Sequence, residues 1–154
     1  MDMLVLKAIG GIGLFLLGMH ILTDGLKSLA GNALRNFLRR STRSPVTGAI
    51  SGAISTAILQ SSSATTVATV GFVGAGLITF PQALGIIFGA NIGTTITGWL
   101  VAILGFKLHL GVIVTPFVLV GALLNIFASG IWRHIGWAMA GFCLLFIGIE
   151  AMQE

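Results

Sequence analysis

The feature that most constrains the fold is a long segment without any ionisable side chain. From Ser44 to Phe106 the chain contains no Asp, Glu, Lys, Arg or His. Over the whole sequence 56% of residues are hydrophobic and only 8% are charged, far less charge than a soluble domain of 154 residues needs on its surface. The composition therefore predicts a polytopic, all-α membrane protein.

A dense polar cluster interrupts this segment, with the sequence Gln60-Ser61-Ser62-Ser63-Ala64-Thr65-Thr66. The apolar piece before it, Val46 to Leu59, covers only about 21 Å as a helix, which is short of the roughly 30 Å hydrocarbon core. A second short apolar piece, Ala64 to Thr79, follows the cluster. The two pieces are predicted to form a re-entrant helical hairpin over residues 46–79, with its polar tip near the bilayer midplane and surrounded by protein or water.

Four other apolar segments are predicted to cross the bilayer, for which a typical helix uses about 20 residues. The predicted spans cover residues 1–26, 82–105, 110–129 and 135–150. The second is predicted to be a broken transmembrane helix, because Gly89-Ala90-Asn91-Ile92-Gly93-Thr94-Thr95 weakens a helix at mid-depth. Gly85, Gly89 and Gly93 along this segment are expected to form a helix-packing face more often than a ligand contact.

Basic residues fix the expected orientation. Residues 27–43 combine Leu and Phe with Lys and Arg, which predicts an amphipathic helix at the interface, and Ser44-Pro45 then begins the next helix. No aromatic pattern suited to stacking bases accompanies the arginines, so we expect no nucleic-acid partner. The positive-inside rule places 27–43 in the cytoplasm and leaves only Lys7 and Lys107 on the opposite face of an inner membrane.

The polar residues offer ligands for both an anion and a cation. A helix that begins near Ala64 or Thr94 presents unpaired N–H groups, and serine and threonine hydroxyls add donors, which suits an anion. The carbonyls at a helix end near Leu59, with side-chain oxygens, suit Na+. The candidate substrate- and ion-binding residues are Gln60, Ser61, Ser62, Ser63, Thr65, Thr66, Asn91, Gly93, Thr94 and Thr95, and the candidate Na+ ligands are Gln60, Ser61, Asn91 and Thr95.

A less specific interpretation is that these hydroxyls bond back to their own i−4 carbonyls and only pack. The few His, Asp and Glu residues lie at segment ends and do not form a nucleophile, base and acid set, so no enzyme is expected. One cysteine, Cys143, excludes a disulfide within the chain. Two other functions stay open: a passive channel-like module and a non-transporting membrane subunit.

The chain also contains a weak internal repeat. Gly141-Phe142-Cys143-Leu144-Leu145-Phe146-Ile147-Gly148 matches the glycine spacing of Gly11-Ile12-Gly13-Leu14-Phe15-Leu16-Leu17-Gly18. We interpret the later segment as the beginning of a second copy of the first helix.

The two polar motifs resemble a known family. Gln60-Ser61-Ser62-Ser63 followed by the segment from Gly89 to Thr95 is similar to the repeat signature of the type II sodium/phosphate cotransporters, and the segment from Gly10 to Met19 looks like the start of the bacterial members. The resemblance implies Na+-coupled uptake of inorganic phosphate, with Na+ as coupling ion and no other cofactor. It also implies half of an inverted-repeat transporter, because the family carries two such repeats. Three explanations of the single repeat stay open: the chain is a fragment, it pairs with a separate subunit, or it forms a homodimer. The expected partner is therefore a second repeat or subunit.

Overall fold

The computed structural model describes residues 3–108 and 110–153, and no β-strand occurs among them. Residues 1 and 2 of the first predicted span, and the side chain of Lys107, lie outside the described part. The described helices are α1 (Met3–Ser41), α2 (Pro45–Leu59), α3 (Ser62–Gly74), α4 (Phe80–Leu108), α5 (Leu110–Phe127) and α6 (Ile131–Gln153). The predicted all-α membrane bundle is confirmed.

Four of the described helices are long and apolar enough to cross a membrane. The candidate spans are Met3–Ala30, Phe80–Gly105, Leu110–Phe127 and Ile131–Gln153. The 15 residues of α2 and the 13 of α3 are too short to cross. They form the two arms of a helical hairpin, as the length of the apolar pieces predicts.

The first helix differs from its predicted division into two elements. α1 is continuous from Met3 to Ser41, with no break near residue 26. Apolar residues such as Leu34 and Leu38 are buried in its C-terminal part while Arg39 and Arg40 are exposed, so the expected amphipathic pattern is present on an extension of α1. A location of residues 27–43 at the membrane surface stays a prediction.

The break predicted in the helix over residues 82–105 is wrong. α4 is continuous through the segment from Gly89 to Thr95, and no residue of that segment has a positive φ. Its threonine hydroxyls donate to carbonyls one turn earlier, Thr94 Oγ1 to Ala90 O at 3.2 Å and Thr95 Oγ1 to Asn91 O at 3.3 Å. The hydroxyls are therefore satisfied within a regular helix, and no helix begins near Thr94.

The chain forms two compact units. The hairpin unit, Ala30–Leu100, contains the end of α1, all of α2 and α3, and most of α4. In it, α2 and α4 run parallel, because glycines along α4 meet successively later residues of α2. A Cβ on any of these glycines would overlap the backbone of α2, with the pairings Gly85 to Pro45, Gly89 to Ala49 and Gly93 to Ala53. Gly85, Gly89 and Gly93 thus form a packing face, as expected for these glycines from the sequence.

Both ends of the hairpin are fixed in the same unit. Ser44 caps α2: its side chain accepts from the Thr47 amide at 3.2 Å, and the Thr47 hydroxyl accepts from the Ser44 amide at 2.9 Å. Pro45 occupies the first helical turn, as predicted. An apolar core holds the other end, where Leu38 of α1 packs with Ile78, Ala83 and Ile86, and partly buried Phe72 and Val73 pack against it.

The terminal unit comprises Met1–Leu29 and Val101–Glu154. In it, α6 packs antiparallel to α1, and the glycines of the weak repeat form the contact. Gly11 lies against Gly148, and Gly18 lies against Gly141 and Leu145. The equal spacing of the two motifs therefore has a packing reason, because each glycine of one helix accepts the backbone of the other.

Candidate functional site

The site begins where α2 ends and α3 starts, at residues 60–63, which we call the hairpin tip. Gln60 is in the left-handed region with φ 53° and ψ 30°, and its amide donates to Thr56 O at 2.7 Å, which closes α2. Ser61 is the N-cap of α3, and its hydroxyl oxygen accepts from the Ala64 amide at 3.2 Å. The end of one helix and the start of the next are therefore adjacent in the chain.

This arrangement gives the hairpin tip two electrostatic sides. The last carbonyls of α2 carry partial negative charge and the first amides of α3 carry partial positive charge. The backbone amides of Ser62 and Ser63 have no acceptor among the described residues. The α3 side can therefore donate to an anion, while the α2 side can coordinate a cation.

The predicted ligands at the hairpin tip differ in their exposure to solvent. Ser63 is exposed, and Gln60, Ser61 and Ser62 are half-buried. The Gln60 side chain donates from Nε2 to Ala57 O, so its Oε1 atom is available as an acceptor. These four residues lie together in the structure and can share a ligand.

The two threonines that follow differ from each other. Thr65 is 0% exposed, donates to Ser61 O at 3.2 Å and accepts from Thr56 Oγ1 at 3.1 Å. Its hydroxyl therefore ties α3 to α2 and supports the hairpin tip from inside. Thr66 is half-buried and makes no described side-chain hydrogen bond, so its hydroxyl is available.

The second predicted cluster lies on α4, away from the hairpin tip. The glycine pairings place Gly93 beside Ala53, and the same register places Gln60 level with Leu100. At about 1.5 Å per residue, Thr95 and Asn91 are then roughly 8 and 14 Å from the level of the hairpin tip along the helix axis. Gln60, Ser61, Asn91 and Thr95 therefore do not form one coordination sphere for Na+ in this conformation.

Within that cluster the residues have different environments. Gly93 is buried against α2, whereas Asn91, Thr94 and Thr95 are exposed. The Asn91 side chain has no hydrogen-bond partner among the described residues. The cluster thus presents an unpaired amide on the outside of a candidate membrane span.

Sequence reasoning missed most of a set of buried hydroxyl groups in the hairpin unit, of which only Thr65 was among the predicted ligands. The buried polar side chains of the described residues all lie there: Thr42, Ser51, Ser55, Thr56, Thr65 and Thr69. Most are paired, for example Thr69 Oγ1 to Thr65 O at 2.7 Å, but Ser55 Oγ has no partner. The sequence contained a signal for this set in the spacing of its hydroxyl residues. Ser51 and Ser55 are four residues apart and share one face of α2, and Thr65 and Thr69 likewise share one face of α3.

The sequence model of the family described as Na+/Pi-cotransporter matches residues 14–154. The Bacillus subtilis (strain 168) protein named Uncharacterized protein YqeW is 34% identical over 142 residues, which cover 91% of this chain and 44% of that protein. No solved structure matches the chain.

Two further relatives have names that describe phosphate transport. The Escherichia coli (strain K12) protein named Putative inorganic phosphate export protein YjbB is 33% identical over 92 residues, or 60% of this chain and 17% of that protein. The human Sodium-dependent phosphate transport protein 2B is 34% identical over 98 residues, or 62% of this chain and 14% of that protein. The chain thus spans less than half the length of the relatives it matches.

Proposed function

Because the chain belongs to the Na+/Pi-cotransporter family and is a multi-pass membrane protein, we propose that it is one half of a sodium-coupled symporter of inorganic phosphate. The observation that carries the proposal is the hairpin tip, where the C-terminus of α2 and the N-terminus of α3 meet among hydroxyl side chains. Discontinuous helices whose ends meet an anion and a cation are a recurring design of secondary transporters.

Phosphate would bind on the α3 side of the hairpin tip. The free amides and hydroxyls of Ser62 and Ser63 supply donors, and the hydroxyls of Ser61 and Thr66 are near enough in sequence to add to them. Helix dipole and backbone amides favour an anion without a lysine or arginine at the hairpin tip.

Na+ would bind on the α2 side. The terminal carbonyls of α2, Gln60 Oε1 and the Ser61 hydroxyl are oxygen ligands, which suit a hard cation. A bound Na+ next to the anion would offset part of the phosphate charge and complete its site, which couples the two solutes. In the described conformation the α4 ligands Asn91, Thr94 and Thr95 lie at another level, and we propose that they contribute in another state of the transport cycle or to a second solute position.

A second repeat or subunit would complete the protein. Asn91 is exposed near the middle of the candidate span Phe80–Gly105 and its side chain is unpaired, an arrangement that is unfavourable against lipid. Protein or a water-filled cavity must therefore cover this face of α4. A second copy of this chain, or a separate chain with the other repeat, would cover this face and complete the transporter. Alternating access would then follow from rocking of one half against the other.

The proposal also concerns the direction in which phosphate moves and the side of the membrane on which the arginine-rich segment lies. One relative is named as sodium-dependent and another as an exporter, so uptake and efflux both need to be measured. The arginines between residues 35 and 43 support a cytoplasmic location for that segment under the positive-inside rule, and an inner membrane is part of the same proposal.

The experiment that tests the proposal measures [³²P]phosphate flux in proteoliposomes that contain the chain, with the Na+ gradient directed inward, outward or absent. Ser62→Ala should abolish saturable Na+-dependent flux, while Ser129→Ala, an exposed serine outside the site, should leave it unchanged. Sodium-independent, non-saturable flux would contradict symport and favour a passive channel.

Failure to transport can also come from the missing half, so equilibrium binding is measured on the same protein. If the chain binds [³²P]phosphate in a Na+-dependent manner and Ser62→Ala removes the binding, the site is present and the partner is absent. If folded protein binds no phosphate at any Na+ concentration, the proposed site at the hairpin tip is wrong.

A further inference from the structure

A groove in the hairpin unit runs along one face of α3 and has a volume of about 660 Å³. Arg35 of α1 contributes a positive charge to it. The α3 side is mostly apolar and is formed by Ser63, Ala64, Val67, Ala68, Gly71 and Phe72. The groove meets the hairpin tip only at Ser63, so most of it lies outside the proposed phosphate site.

A buried residue of α1 close to Arg35 holds this part of the helix against the core of the hairpin unit. Leu38, about one turn later in α1, is 1% exposed and lies in the core against which Phe72 packs. This part of α1 therefore lies beside α3, and Arg35, which is exposed, places its positive charge at the groove.

No carboxylate of the hairpin unit can neutralise Arg35. Residues 30–100 contain Arg35, Arg39, Arg40 and Arg43 but no Asp or Glu. No carboxylate within the hairpin unit therefore competes with an external anion for Arg35.

The lining decides which anion fits. Inorganic phosphate would have most of its oxygens against apolar walls, where they lose hydrogen bonds to water without replacement. The volume lies within the roughly 300–1,000 Å³ range of pockets that bind molecules much larger than a single ion. An anion with a long apolar tail satisfies both the charge and the walls.

We propose that this groove binds one anionic phospholipid, with its phosphate paired to Arg35 and an acyl chain along Val67 and Phe72. The planar guanidinium donates two parallel hydrogen bonds to phosphate oxygens. Arg39 and Arg40 on the following turn add positive potential, which disfavours a zwitterionic headgroup that carries its own cation.

The test measures lipid retention by the whole purified chain with native mass spectrometry. Delipidated protein is given equal amounts of phosphatidylglycerol and phosphatidylcholine with identical acyl chains. Retention of phosphatidylglycerol should exceed that of phosphatidylcholine by about fivefold or more, the factor expected for one arginine at an anionic surface. Equal retention of the two lipids would overturn the proposal.

Three variants locate the site. Arg35→Gln should remove the preference, and Val67→Trp, which fills the groove at a side chain that is 73% exposed, should reduce retention of phosphatidylglycerol without a change of charge. Arg39→Gln makes the same charge change on the same helix outside the groove and should leave most of the preference. If Arg39→Gln equals Arg35→Gln, or if Val67→Trp has no effect, lipid binding is not at the groove and the proposal fails.

Two other occupants are distinguished in the same preparation. Excess inorganic phosphate that displaces phosphatidylglycerol from the wild-type chain would assign the groove to the transported anion. Efficient disulfide cross-linking of Val67→Cys chains to one another would assign it to a second copy. Either result overturns the proposal, and neither depends on whether the chain transports phosphate, because lipid retention is measured without flux.

Discussion

The two units of this protein bury different chemistry. The terminal unit has an apolar core around Leu145, Phe146 and Ile149, and its helices approach through glycines. The hairpin unit has an apolar core around Leu38 and Ile86 and also buries six hydroxyl side chains, of which Thr56 and Thr65 pair near the joint between α2 and α3. An apolar core stabilises the fold through burial alone, whereas a paired buried hydroxyl such as that of Thr65 also fixes the relative position of two helices, here the two arms that meet at the hairpin tip.

The largest expected effect tests the close approach of α2 and α4 in the hairpin unit. A side chain at Gly89 would overlap the Ala49 backbone, so Gly89→Leu must separate the helices and should cost about 3 kcal/mol or more of unfolding free energy. Gly98→Leu on the same helix meets open space and serves as the control. Titration with denaturing detergent measures both, and equal stability of the two variants would show that the α2–α4 contact is not the one described.

The same contact explains what the sequence could and could not predict. The length of the apolar piece before Gln60 and the Ser44-Pro45 start predict the hairpin correctly, because they depend on local geometry alone. The break at Gly89 to Thr95 was predicted wrongly. Glycine destabilises an isolated helix, but here it allows the backbone of α2 to approach α4 closely, and this contact stabilises the helix. Which of the two applies depends on α2, and a pattern within α4 does not contain that information.

The site shows a similar division. A helix start with free amides was predicted from the serine run, but α3 begins at Ser62 with Ser61 as its cap, two residues before the predicted start near Ala64. The role of Thr65 could not be predicted, because its hydroxyl bonds with Thr56 on the other arm of the hairpin. The polar cluster on α4 was placed beside the hairpin tip in the prediction, and the glycine register that separates them appears only when the two helices pack.

A glycine contact of the same kind joins α1 and α6 in the terminal unit. Gly18 contacts the backbone of α6, including Gly141 O at 2.8 Å from a Cβ position, so Gly18→Ala should destabilise by about 2 kcal/mol. Gly13→Ala meets open space on the same helix and should be neutral or stabilise by up to about 1 kcal/mol through helix propensity. Phosphate binding should be unchanged in folded Gly18→Ala protein, because the site lies in the other unit; loss of binding at matched folded fraction would contradict that separation.

Thr65→Val tests the hydroxyl tie between the hairpin arms. The substitution keeps the shape of the side chain but leaves Thr56 Oγ1 buried without its partner, which should cost about 1–2 kcal/mol. The double substitution Thr56→Val with Thr65→Val removes both hydroxyls and should recover part of the loss. A double variant as unstable as the sum of the single variants would show that the two side chains do not interact.

The smallest effects separate two serines of the same helix face. Ser51 Oγ donates to Gly48 O at 3.0 Å and lies 3.2 Å from Thr42 Oγ1, so Ser51→Ala should destabilise the protein by about 1 kcal/mol. Ser55 Oγ is buried without a partner, so Ser55→Ala removes an unpaired polar group and should stabilise the solute-free protein by about the same amount. The other buried hydroxyls of this unit are paired. The unpaired hydroxyl of Ser55 would be explained if it gains a partner only when solute is bound. Stability measured with and without Na+ decides this: Na+ should stabilise the wild-type chain more than Ser55→Ala, and an equal response would leave Ser55 with no part in ion binding.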